Sequence, residues 1–255
     1  FFDNPKLGLP STSGLMALFS SKTGVLQALL LDNGYLTDVR TAAAGAVAAR
    51  YMARENSTHA CVIGTGQQAR LQLKALNLVR PIKSAVIWGR DGEKAKGVAS
   101  TLSQELDIPV SASIDVKKSI SNADVVITAT SSSKPIVMAD WLQLGQHITA
   151  MGSDQAHKCE LEPACLLRAD LYVPDRQSQT KNLGELRSAI LAKIIEPDRL
   201  FPELGDIIIG KAKGRINSNS ITIADLTGTG VQDTVISTLA LEKATLINSG
   251  SDFVS

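Results

Sequence analysis

The sequence has no excess of charge of either sign, no long apolar run and no paired cysteine motif. Each absence removes a class of function. Lys and Arg number 26 against 25 Asp and Glu, a formal net charge of +1 over 255 residues. Neutralising the phosphates of a nucleic acid needs a basic excess, so nucleic-acid binding is not expected. No run approaches the roughly 20 apolar residues that cross a bilayer. The stretch 25–31 is interrupted by Gln27 and stops at Asp32. Cys61, Cys159 and Cys165 are odd in number and show no CxxC spacing. They read as reduced thiols of a cytoplasmic protein, forming neither a disulfide framework nor a metal site. Position 1 is not methionine, and no signal-peptide pattern follows it. Phe1, Phe2, Pro5, Leu7, Leu9 and Pro10 read as the middle of a folded segment, with further native residues expected ahead of them. What remains is a globular chain, 44% hydrophobic and 20% charged, long enough for one to two domains.

Two textures divide it. Residues 15–19 and 25–31 flank a turn at 20–24 and predict a β-hairpin, closed by a second turn at Asp32-Asn33-Gly34. A small-residue helix follows over 42–49, with Thr41 as its N-cap. Its alanines would let another backbone come close. From His59 onward, short apolar runs at 60–63, 85–88, 123–129, 147–151, 171–173 and 221–224 alternate with amphipathic stretches. Ala69, Leu73 and Leu76 share one helix face, as do Ala95, Val98, Ala99 and Leu102. That alternation predicts an α/β fold, a doubly wound parallel sheet over 56–230. Residues 1–55 and 231–255, the latter beginning with a helix over 231–247, would form a smaller α+β domain.

One run carries chemistry. Ile63-Gly64-Thr65-Gly66-Gln67-Gln68-Ala69 sits after a strand and before a helix, in the order of the dinucleotide-binding turn GxGxxA. Gly64 would make the tight turn, and Gly66 would let the backbone approach a pyrophosphate. Ala69 would allow close helix–strand packing. Thr65, Gln67 and Gln68 would line the same cradle, and the helix N-terminus would face the phosphates. The next strand should read the ribose. It ends at Gly89-Arg90-Asp91, where Arg90 suits the 2′-phosphate of NADP and Asp91 the 2′-hydroxyl of NAD, so both cofactors stay open. Thr128, Ala129, Thr130 and Ser131 place small hydroxyl residues at another strand end, where ligands bind in such sheets; a Ser/Thr-rich turn is the alternative.

With these residues the chain resembles the ornithine cyclodeaminase/μ-crystallin family. The likeness rests on Gly8-Leu9-Pro10, the block Leu36-Thr37-Asp38-Val39-Arg40-Thr41-Ala42-Ala43, the Gly64–Gly66 turn and Gly152-Ser153-Asp154 with Glu160-Leu161. It continues through Glu203-Leu204-Gly205, Gly210, Gly214-Arg215 and Thr227-Gly228 with Asp233, in the family's order. Residues 1–5, 8–16 and 30–45 look most like its ectoine-utilisation protein C branch, close to the iminosuccinate reductases.

The resemblance implies a catalytic plan. Arg40 would grip the carboxylate of an amino or imino acid, for which a planar guanidinium fork is suited. A helix-start residue paired with Asp38 is the alternative. Asp154 would handle the proton, with a turn or capping residue as the alternative. Thr41 and Thr227 would join the cofactor contacts. The family's lysine, arginine and glutamate ahead of its Gly-Leu-Pro segment have no counterpart here, and Lys6 lies too close to Gly8 to take the lysine's role. The implied activity is NAD(P)H-dependent reduction of a small imino acid, iminosuccinate-like or from ectoine breakdown, by a homodimer. A cyclodeaminase lyase with retained NAD and a μ-crystallin-like NADP-dependent binding protein are the other readings.

Overall fold

The structure is a computed structural model that describes residues 4–9 and 12–251. The sequence reading of Phe1, Phe2 and Pro10 lies outside the described residues; Leu7 and Leu9 are described, and both are exposed. After a 3-10 turn at Asn4–Leu7 come β1 (Met16–Phe19), β2 (Leu26–Leu30), α1 (Tyr35–Met52), β3 (His59–Ile63), α2 (Gln67–Asn77), β4 (Ser84–Trp88), α3 (Gly92–Leu106) and β5 (Val110–Ser113). Then follow α4 (Val116–Ser121), β6 (Val125–Thr128), β7 (His147–Ala150), α5 (Cys165–Arg168), β8 (Leu171–Pro174), α6 (Gln177–Thr180), α7 (Glu185–Leu191), α8 (Leu204–Ile208), β9 (Thr222–Asp225) and α9 (Gly230–Leu246).

The chain divides into two compact units, residues 1–41 with 229–255, and residues 42–228. The sequence reading drew its first boundary at 55/56. The difference is the alanine half of α1, which packs within unit 2. There Ala49 and Ala53 join Ala69, Leu73 and Leu76, while Ala48 and Met52 join Val173, Ala224 and Leu226. A Cβ on Gly45 would lie 1.9 Å from Gln72 Oε1, so the small side chains let α2 come against this helix.

In unit 1, β1 and β2 pair antiparallel from Met16↔Leu30 to Phe19↔Leu26, with the register shifting after Leu18. α9 returns to this hairpin and sets the buried Ser237 hydroxyl 3.1 Å from Met16 Sδ. Thr41 is not the N-cap of α1, as the sequence suggested. The helix starts at Tyr35, and the Asp32 carboxylate accepts from Leu36 N–H at 2.6 Å. Positive φ at Asn33 and Gly34 turns the chain into the helix. The turn that closes the hairpin therefore also caps α1.

Unit 2 is built on a seven-stranded parallel sheet of order β5-β4-β3-β6-β7-β9-β8. Both faces are covered, and strand residues alternate between them. Ala60 and Val62 of β3 face a cluster with Leu73, Ile87, Val98 and Leu102, whereas Cys61 and Ile63 face one with Val126, Ile148, Leu161 and Ile223. β5 was absent from the sequence reading. Its Val-Ser-Ala-Ser run is a short edge strand with no buried residue and too little apolar signal.

Candidate active site

The strand order reverses at β3, which has β4 on one side and β6 on the other. A parallel sheet opens a crevice at the carboxyl ends of such strands, and the loops leaving β3 and β6 meet there. Gly64 sits at φ +137°, and a Cβ on it would lie 2.5 Å from the Ala129 carbonyl oxygen. Its N–H donates to Trp88 O at 2.8 Å, while Ala129 N–H donates to Ile63 O at 2.9 Å. Backbone angle and packing both demand glycine at this position. Thr65 lays its methyl where a Cβ on Gly89 would be, 2.5 Å away.

Gly66 differs. Its φ is −83° and ψ −174°, open to any residue, and a Cβ there would meet nothing within 4 Å. Neither the backbone nor the protein's own packing requires a glycine here. Gly66 is also the N-cap of α2, with no side-chain cap and no acidic residue in the first turn. The positive end of the helix dipole lies at this open position, beside exposed Gln67 and half-buried Gln68. The cradle therefore fits the pyrophosphate of a dinucleotide.

At the end of β4, Arg90 is exposed. Asp91 caps α3, its Oδ1 accepting from Glu93 and Lys94 N–H at 3.1 Å each, so one of its two oxygens is already committed. Beyond β6, Thr128 is buried, Thr130 N–H donates to Glu160 Oε1 at 2.6 Å, and Ser131 is exposed. Beyond β7, Gly152 N–H donates to Glu160 Oε2 at 2.8 Å, and the Ser153 hydroxyl donates to Glu185. Asp154 is exposed at the tip of this turn and pairs with the buried Lys158 ammonium at 2.5 Å. Beyond β9, the Thr227 N–H and hydroxyl donate to Asp175, and its hydroxyl oxygen accepts from Gln179.

The strand ends of unit 2 thus collect Gly64, Thr65, Gly66, Gln67, Gln68, Arg90, Thr128, Ala129, Thr130, Ser131, Asp154 and Thr227. Arg40 and Thr41 belong to unit 1. There the Arg40 Nε lies 2.9 Å from Asp233 Oδ1, and a terminal nitrogen donates to Gln232 Oε1 at 3.1 Å. The arginine is oriented by α9.

Sequence reasoning missed the buried carboxylates behind these loops. Glu185 accepts from Ser153, Glu160 N–H and Leu161 N–H; burial, with Asp225 and Glu160 nearby, pushes its carboxyl up to about 8. Asp225 accepts from the Tyr172 hydroxyl and Leu186 N–H, and burial pushes it up to about 7. Burial also raises Glu160 and Asp175 above the usual carboxylate range. Two glycines make room for them. A Cβ on Gly152 would lie 2.3 Å from the Glu160 carboxylate, and one on Gly184 2.6 Å from that of Asp225. Glu160 was in the family pattern, but nothing in its local sequence marks it as buried.

Comparison with known proteins is uniform across the chain. The family model described as the ornithine cyclodeaminase/mu-crystallin family matches residues 1–247. An uncharacterized cyclodeaminase of Sinorhizobium fredii is 56% identical over 255 residues, covering 100% of this chain and 77% of that protein. The structure of Thermococcus litoralis Δ1-pyrroline-2-carboxylate reductase, solved with NADH and L-proline, has a TM-score of 0.92 at 32% identity, over 98% of this chain and 77% of that one. The iminosuccinate reductase of Paracoccus denitrificans, solved with NAD+, has a TM-score of 0.90 at 31% identity, over 99% and 77%.

Proposed function

The chain belongs to the ornithine cyclodeaminase/mu-crystallin family, and from that premise we propose that it reduces a small imino acid to the amino acid with NADH or NADPH. The observation that carries this reading is Gly66, a glycine at an open helix N-terminus that the protein itself does not require. The relatives solved with NADH and NAD+ support the same cofactor class. Gly64, Thr65, Gly66, Gln67 and Gln68 hold the pyrophosphate. Arg90, Thr128, Ala129, Thr130, Ser131, Thr41 and Thr227 complete the cofactor contacts.

Reducing an imine places hydride on carbon and a proton on nitrogen. NAD(P)H supplies the hydride when bound. Arg40 takes the substrate carboxylate, its guanidinium already steered by Asp233 and Gln232. Asp154 exchanges the proton with the nitrogen, and Lys158 holds its carboxylate in place. The substrate is iminosuccinate-like or an ectoine breakdown product, the enzyme a cytoplasmic homodimer. Three buried free thiols support the reducing compartment.

A cyclodeaminase reading is favoured by the name carried by a relative 56% identical, the uncharacterized cyclodeaminase of Sinorhizobium fredii. One assay separates the two. The protein is mixed with ammonia, NADH or NADPH and a panel of 2-oxo acids including oxaloacetate, and in parallel with ornithine. Consumption of NAD(P)H with amino-acid formation is expected. Ammonia release from ornithine without net NAD(P)H turnover would move the assignment to the lyase. Ligand binding without either turnover would move it to a binding protein.

A further inference from the structure

β6 and β7 are neighbours whose ladder runs out where the candidate site begins. Their last pairing is Thr128↔Ala150, followed by a hydrogen bond from Met151 N–H to Thr128 O at 3.0 Å. Past that point the two segments diverge, one into the Thr130 loop and the other into the Asp154 turn. Neither can satisfy the other's backbone donors there. A single carboxylate stands in for the missing acceptors. Glu160 Oε1 accepts from Thr130 N–H at 2.6 Å, and its Oε2 from Gly152 N–H at 2.8 Å.

The carboxylate is itself fixed. Glu160 is fully buried, its N–H donates to Glu185 Oε1 at 2.9 Å, and its carbonyl accepts from Ile136 and Val137 N–H at 2.7 and 3.0 Å. The space it occupies exists only because residue 152 has no Cβ. Glu185 meanwhile holds Ser153, the neighbour of Asp154. Two N–H donors from two loops require two acceptors on one rigid group. A carboxylate offers acceptors only, whereas an amide would turn its NH2 against one of the donors.

We infer that Glu160 is a positioning residue, a clamp that fixes the cofactor loop after β6 and the Asp154 turn after β7 at one separation, so that neither moves without the other. The inference rests on the roles given above to Asp154 and to the Thr130 loop. The clamp itself is a statement about two backbone segments and is tested apart from activity.

The test is amide hydrogen exchange on the full chain, with Glu160→Gln against wild type. Exchange over 129–131 and over 151–154 should rise together by about tenfold or more, since a buried donor loses its acceptor. Peptides from β3 and α2 should keep their rates. A rise in one loop alone, or in neither, overturns the clamp. Should Glu160→Gln fail to fold, the wild-type protein decides by NMR. The Thr130 and Gly152 amide protons must then both be strongly protected, and fast exchange of either overturns the inference. Where the wild type turns over, Glu160→Gln should lower kcat about ten- to hundredfold, raise the KM for NAD(P)H as the Thr130 loop loosens, and leave the KM for the imino acid within about twofold, because Arg40 is untouched. A change in the imino-acid KM equal to that in kcat would overturn the positioning role. A wild type without reductase activity would overturn the proposed function, and the exchange result would still stand on its own.

Discussion

Gly64 and Gly66 are two residues apart and are glycine for different reasons, which gives opposite expectations for their variants. Gly66→Val should abolish nucleotide binding by calorimetry and leave thermal stability near wild type, since its side chain meets solvent and not protein. Gly64→Ala should destabilise the fold by about 1–3 kcal/mol in urea unfolding, because φ is +137° and the Ala129 carbonyl is in the way. Arg40→Lys should lower kcat/KM about ten- to hundredfold, ~1.5–3 kcal/mol, with nucleotide affinity unchanged. Lysine keeps the charge but cannot face Asp233 and a carboxylate at once. Asp154→Asn should lower kcat more than it raises KM. The glycines were legible in the sequence because a turn writes its needs locally. Asp91 was ambiguous because a helix cap and a ribose acceptor use the same side chain at the same strand end. Glu160, Glu185 and Asp225 were illegible as a group, since their meaning lies in burial and in partners far along the chain.

The elements show the same division between local and distant causes. Strands β3, β4, β6 and β7 were readable because apolar residues on both faces make continuous runs. β5 and the first two turns of α1 were not, since one is a short edge strand and the other begins with residues that also close a hairpin. The loops that end these strands rest on buried acids, and this makes stability depend on pH. Glu185 is raised to about 8 from an ordinary 4.5, and Asp225 to about 7 from 3.8. The folded protein therefore keeps protons that the unfolded chain has released, and stability falls as pH rises from the unfolded toward the folded values. His147, fully buried, is pushed down to about 3 from 6.5, so its contribution is lost as pH falls below 6.5. Above about pH 6.5 these carboxylates set the slope. The urea midpoint should drop between about pH 6.5 and about pH 8.5, and Glu185→Gln should flatten that drop. A midpoint that rises over this range would contradict the burial of these acids in protonated form.

On the scale of the whole molecule, the parallel sheet was legible, because strand–helix alternation begins at His59 and ends before the last helix. The hairpin of unit 1 leaves Phe19, Val25, Leu26, Leu29 and Leu31 exposed in the single chain. An apolar surface of this kind is expected to be covered by a second copy. Light scattering should give the mass of two chains, and Phe19→Glu combined with Leu29→Glu the mass of one. Unit 1 is also made from both ends of the described chain, while unit 2 is one uninterrupted run. That arrangement imposes an order on biosynthesis. The hairpin is made before unit 2 and α9 after it, so α9 can pack on the hairpin only once every strand of the parallel sheet has been made. A nascent chain released at residue 228 would carry every strand of the parallel sheet and a hairpin still without α9, so the contact of Ser237 with Met16 waits until that sheet is complete.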